Sequence, residues 1–250
     1  ASGTLILKEN LGPQSGNCFN VTTSHTTIDC NGYTIFYGTS GSDAIDIQAP
    51  DPGGGNITIK NCIFNQNVKG VTDSQAIKSY GGFFNNNFWN NTIYSHSDVG
   101  AITIFNNNNT NISWNTITQN GSYISNGSGI NIQQSYNFYI DYNIVNTTAV
   151  ASTAITYSTG NATIRQNKLN ATSVNANGLS LTYVIKGTNI LENTLITTAN
   201  GGMSISSTPF SIFESNDLII RSNIIKAKGD SNDAVDLDTV NNSLFDNNTI

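Results

Sequence analysis

The chain of 250 residues is long enough for one large domain or two small ones, and its 37% hydrophobic content suffices for a core, so it is not a disordered chain. A net charge of -6 with no cluster of lysine or arginine argues against nucleic-acid and anionic-membrane partners, whose phosphates need a basic stripe. Only 10% of residues are charged, against 40 asparagines and 55 serines and threonines, so polarity is carried by neutral amides and hydroxyls.

In chain order, residues 1–40 read as an N-terminal cap and first coil, and residues 41–250 as repeats of the same single domain. Cys18, Cys30 and Cys62 lie early and lack the paired C-x-x-C spacing of a zinc site. A secreted chain is expected to pair Cys18 with Cys30 and bury the third thiol, while three buried thiols remain the alternative. From residue 44 onward, short strands of the pattern φ-x-φ (φ apolar) follow a small residue. They are AIDI at 44, AITI at 101, GINI at 129, AITY at 154, GLSL at 178, GMSI at 202 and AVDL at 234, with AIKS at 76 fitting less well. Alternating with them without exception are N-x-φ tripeptides that begin at Asn61, Asn91, Asn115, Asn143, Asn167, Asn193, Asn223 and Asn248.

The asparagines are 30, 24, 28, 24, 26, 30 and 25 residues apart. Two interleaved columns of one period mark a repeat, and no single unit could bury its own apolar face. With turn residues between short β stretches and no helical periodicity, the fold expected is an all-β parallel β-helix. It should have eight to nine coils of 24–32 residues and an internal asparagine ladder. Alternation along each strand places Ile45, Ile102, Ile130, Ile155, Leu179, Met203 and Val235 in one inward row. Ile47, Ile104, Ile132, Tyr157, Leu181, Ile205 and Leu237 form a second. Between them an outward row reads Asp46, Lys78, Thr103, Asn131, Thr156, Ser180, Ser204 and Asp236.

The segments CFNVTTSHTTIDCNGYTI at 18–35 and NITIKNCIF at 56–64 resemble the opening coils of secreted right-handed parallel β-helix proteins of prokaryotes and archaea, within the pectin-lyase-like superfamily. The resemblance implies a right-handed coil and an extracellular or cell-surface location. It implies no single activity, since that superfamily holds lyases, hydrolases, epimerases and adhesins.

Carbohydrate chemistry needs clustered carboxylates. In the outward row, Asp46 and Asp236 are seven repeats apart, roughly 34 Å, and cannot share a substrate. The run GDSNDAVDLD at 229–238 offers Asp236 and Asp238 as a catalytic pair and Asp230, Asp233 and Asp236 as calcium ligands. Its spacing does not match an EF-hand loop, and a solvated turn leading into a strand is the preferred reading. Arg165 is a candidate lyase base without nearby acids, better read as an ion pair with Asp141. Apart from that possible calcium, no cofactor is expected. Neither His25 nor His96 has a second histidine or a cysteine nearby, so both read as turn residues.

Twelve N-x-S/T sequons are present, about as many as composition predicts, and the glycosylation candidates are Asn108, Asn111, Asn120, Asn126, Asn146, Asn161 and Asn170. Tyr80, Phe83, Phe84, Phe88, Trp89 and Tyr94 fall within fifteen residues, as ordinary packing or as a patch for sugars or a subunit. The chain stops inside a repeat strand at NNTI. That predicts a fragment, an unseen continuation, or an edge covered end to end by another copy. The reading that follows is an extracellular structural or adhesive solenoid, with glycans or other surface proteins as partners. The alternative is a lyase or hydrolase acting on an extracellular polysaccharide, and the missing carboxylate cluster favours the first.

Overall fold

The structure, a computed structural model, describes the chain apart from residues 1, 14, 49–53, 67–72, 83, 98, 121–126, 149–152, 159, 173–175, 185–186, 199–209 and 229–232. Each short φ-x-φ or x-φ-x run is extended and pairs in parallel with its counterpart one coil away. Among the described residues this builds three parallel sheets, sheet A of ten strands, sheet B of eight and sheet C of nine. A representative coil runs Ile77–Tyr80 in sheet C, Asn87–Trp89 in sheet A and Thr92–Ser95 in sheet B. Eight such coils stacked at the inter-strand spacing make a solenoid about 40 Å long. The expected all-β architecture and its coil number are those of the structure. No helix of the described residues is long and apolar enough to cross a membrane.

Every sheet contributes inward rows in register. Sheet A supplies Ile59, Phe88, Ile112, Ile140, Ile164 and Ile190. Sheet B supplies Phe64, Ile93, Ile117, Val145, Leu169 and Leu195. All are fully buried, and removing each such side chain from water contributes about 1.5–3 kcal/mol. Sheet C has the expected two rows, except that Leu237 on the last strand is 48% exposed and that one strand is displaced. In the coil where GMSI supplied Met203 and Ile205, the strand is Phe210–Phe213, and Phe210 and Ile212 pair with Leu179 and Leu181. Met203 and Ile205 lie outside the described residues, and Ser211 takes the outward place expected of Ser204. The small residue at the start of most sheet C strands has a steric cause. Ala44, Ala76, Ala101 and Ala154 are fully buried, and a Cβ on Gly129 would lie 2.2 Å from Val145 Cγ1.

The three corners differ in length. From sheet C to sheet A the strands are three to nine residues apart, and from B to C four to eleven. From A to B the gap is two residues in every coil after the first. The first of these two residues is left-handed in each: Asn61, Asn90, Trp114, Tyr142, Gln166, Glu192, Ser222 and Asn247 have φ between 51 and 59°. The second is the ladder position.

Asn91, Asn115, Asn143, Asn167, Asn193, Asn223 and Asn248 form one continuous axial row. The Nδ2 of each donates to Oδ1 of the next at 3.0 Å. That same Oδ1 also accepts the backbone N–H of the preceding rung, as from Asn115 to Asn143 at 3.0 Å. Each Nδ2 further donates to a carbonyl of the previous coil, such as Asn143 to Ile112 O at 2.8 Å. One amide per coil thus satisfies the buried polar groups of the tightest turn without burying a charge.

Asn61 is not part of that row. It is the left-handed residue before the ladder position, and its side chain lies in an outer row, accepting from Asn90 Nδ2 at 2.8 Å and donating to Asp29 Oδ1 at 3.0 Å. The rung it was expected to fill is Cys62, whose N–H donates to Asn91 Oδ1 at 3.1 Å. Cys62 is disulfide-bonded to Cys30 in the preceding coil. Cys18 is the unpaired thiol, correcting the expected Cys18 to Cys30 bond. Cys18 opens sheet C with its Sγ toward Phe36 O at 3.5 Å, whereas Cys30 and Cys62 meet at one corner with their Cα atoms 4.6 Å apart.

Candidate functional site

The corner between sheets C and A carries a second asparagine-rich column, and this one faces solvent. Asn56, Asn85, Asn109, Asn137 and Asn161 sit one per coil with φ between 52 and 65°. Asparagine adopts this left-handed conformation more readily than most residues because its short amide can bond locally. Immediately before them in the chain runs a second axial row, paired by parallel bridges, of Gly55, Phe84, Asn108 and Tyr136. A Cβ on Gly55 would lie 2.0 Å from the Phe84 carbonyl oxygen, so glycine is what lets the next coil close down at this corner.

The two rows line a groove of about 580 Å³, bounded by Phe84, Asn108, Asn109, Tyr136, Asn137, Gly160 and Asn161. Phe84 and Tyr136 remain 37% and 45% exposed, rings held at a surface rather than drawn into the core. Asn161 Nδ2 donates to Asn137 Oδ1, which orients both amides along the axis. No described residue lining the groove carries a formal charge. Apolar faces flanked by neutral donors and acceptors can stack on a sugar ring and bond its hydroxyls.

The six aromatics close in sequence do not form one patch. A coil turns through all three sheets in about 25 residues, so they are spread around it. Phe88 is buried in the core, Tyr80 ends a sheet C strand, Trp89 ends a sheet A strand and Tyr94 stands on sheet B. Only Phe84 reaches the groove, and Phe83 lies outside the described residues. A different aromatic pair forms at the left-handed column of the A to B corner, where Trp114 stacks on Tyr142 at 4.4 Å. Arg165 lies 5.8 Å from the Tyr142 ring and pairs with Asp141 at 3.0 Å, as expected for that ion pair. The hydrogen bond that Arg165 donates to Asp141 raises the Arg165 pKa.

Among the described residues no three acidic, histidine or cysteine side chains are grouped to hold a metal. Asp233, Asp236 and Asp238 are exposed, Asp236 and Asp238 sit beside Ser211 and Phe213 of the neighbouring strand, and Asp230 lies outside the described residues. Of the sequon asparagines, Asn120 is exposed, Asn126 lies outside the described residues, and Asn108 and Asn161 line the groove. Asn111 and Asn170 donate their Nδ2 to Asn87 and Asn146 at 3.1 and 2.7 Å.

A carboxylate cluster that the outward-row reading missed lies at the other end of sheet C. Asp46 does not face solvent as expected. It is buried, because Asn17 Nδ2 and Gln48 Nε2 both donate to its Oδ2 and cover it, while its Oδ1 has no partner among the described residues. Asp43, three residues earlier, accepts from the Gln75 backbone at 2.8 Å and faces Lys78 Nζ at 3.5 Å. Burial pushes the Asp43 carboxyl above its ordinary value, the Asp46 charge adds to this, and Lys78 opposes it. The signal was the register itself: Lys78 is the partner of Asp46 one coil on.

No family model matches the chain, and no curated protein matches it in sequence. In structure it is similar to the A-module of the Azotobacter vinelandii mannuronan C-5 epimerase AlgE4, at 10% identity and a TM-score of 0.52, over 100% of this chain and 88% of that one. It is also similar to PfbA, a surface adhesin of Streptococcus pneumoniae, at 12% identity and a TM-score of 0.40, over 100% of this chain and 84% of that one. The first likeness is one of fold alone: the chain is a parallel β-solenoid of the kind seen in that epimerase module.

Proposed function

We propose that the chain is an extracellular or cell-surface solenoid, structural and adhesive, that holds glycans along the corner between sheets C and A. The observation that carries this reading is the charge-free groove in which Phe84 and Tyr136 stay exposed beside oriented amides. A buried disulfide joining two coils supports an oxidising compartment. The test is sedimentation of the purified chain with a panel of insoluble polysaccharides, run beside an assay for released sugar ends. Retention without release is expected. Failure to bind any polysaccharide would overturn the reading.

One observation favours a second reading, a polysaccharide-active enzyme. Asp43 and Asp46 are buried carboxylates in different environments with Lys78 at hand, the pairing from which acid and base roles are made. Release of sugar ends that disappears in both Asp43→Asn and Asp46→Asn would establish it.

A further inference from the structure

We infer that the groove takes a neutral, flat, β-1,4-linked polysaccharide laid parallel to the solenoid axis. This rests on the glycan-holding reading and specifies its ligand. Phe84, Asn108 and Tyr136 are successive members of one axial row, so the two rings stand two coils apart with an amide between them. Two coil rises are about 10 Å. A pyranose in an extended chain advances by about one coil rise, and in a two-fold ribbon every second unit turns the same face to the same side. Rings two coils apart therefore meet like faces of alternate units. A helical α-linked chain rotates its faces out of step and cannot meet both.

The amide row sets the rest of the specificity. Asn109, Asn137 and Asn161 run beside the rings at one per coil, a donor and an acceptor for each sugar unit. Gly160 continues the groove beyond Tyr136 without a side chain to block it. Because the described lining carries no cation and the chain has a net charge of -6, a uronate polymer meets no counter-charge there and is repelled at long range. Because it carries no anion either, an amino sugar polymer gains nothing over a neutral one.

The experiment is calorimetric titration of the full chain with three soluble probes: cellohexaose, maltohexaose and a mannuronate hexamer. Cellohexaose is expected to bind at least tenfold more tightly than either of the others. Phe84→Ala and Tyr136→Ala should each weaken it about tenfold, a change typical of removing an aromatic anchor. Tyr136→Phe, which keeps the ring, should recover most of the affinity lost in Tyr136→Ala, and Tyr94→Ala, on the outer face of sheet B, should leave it unchanged. Equal affinity for maltohexaose, tighter binding of the mannuronate hexamer, or wild-type affinity in both alanine variants would overturn the inference. So would retention on insoluble polysaccharide without any cellohexaose binding, an outcome that leaves the broader adhesive reading standing.

Discussion

The corner between sheets A and B and the corner between sheets C and A are both built from asparagine, but one turns its amides inward and the other outward. At the first, the connection is two residues in every coil after the first, and the rung amide is fully enclosed. At the second, the connection varies from three to nine residues and the left-handed asparagines face solvent. Constant length goes with a buried row because each rung must meet the next within hydrogen-bond reach. Variable length goes with an exposed row because water can replace any partner that shifts. The same side chain is therefore a structural part at one corner and an available surface at the other.

The sharpest way to break the comparison is to remove one rung. Asn143→Ala strands the Asn115 N–H and takes the Nδ2 donor away from the Ile112 carbonyl and from Asn167 Oδ1, which keeps only the backbone N–H of residue 143. We expect a loss of about 4 kcal/mol in chemical denaturation, from one buried donor left unpaired, two acceptors deprived of the amide and the space it leaves, with glycan binding by the folded fraction intact. Cys30→Ala with Cys62→Ala opens a link spanning 32 positions, and chain entropy sets the expected loss at about 3.7 kcal/mol. Retained stability in that pair would show that the staple is redundant with the ladder it adjoins.

At the outer corner the balance reverses. Asn137→Ala forces alanine into a left-handed backbone at a cost of about 1 kcal/mol, and should weaken binding more than it weakens the fold. Asn137→Gly should restore stability but not binding, and a variant that restored both would show the amide to be only a turn residue.

The smallest effect concerns Asp29, at the N-terminal foot of the outer amide row. Its partial burial works to raise its pKa, but hydrogen bonds from Asn61 and the Asn31 N–H, with Lys60, hold it below the ordinary 3.8. A depressed carboxylate stabilises the fold above its unfolded pKa and loses that contribution as pH falls through the folded one. Asp29→Asn should therefore lower the thermal midpoint slightly at neutral pH, and the difference should vanish in acid below that range.

Seven of the eight rungs were legible from spacing alone, since a buried row tolerates no shift of position. The eighth was displaced by one residue for a physical reason. Asparagine also suits the left-handed position just before the rung, as in Asn90-Asn91 and Asn247-Asn248, so Asn61 matched the motif while Cys62 filled the place. The strand at Phe210–Phe213 escaped because it lacks the small residue that precedes the others. The groove was out of reach of a local reading altogether. Phe84 and Tyr136 are 52 positions apart in the chain and come onto one row, either side of Asn108, only when coils of unequal length are set in register. Asp43 and Asp46 were readable as residues but not as buried ones, because Asn17, which covers Asp46, comes from the preceding coil.

Each rung from Asn91 to Asn223 donates toward its C-terminal neighbour, so the row has a direction, like arrows laid head to tail. Adding or deleting one whole coil leaves each head meeting a tail. Half a coil would set a strand where a rung belongs. Insertions at the other two corners leave the arrows untouched. Such a chain is therefore free to lengthen in evolution by whole turns along its axis and by any number of residues sideways, and it is sideways that new surfaces can be tried without risk to the spine.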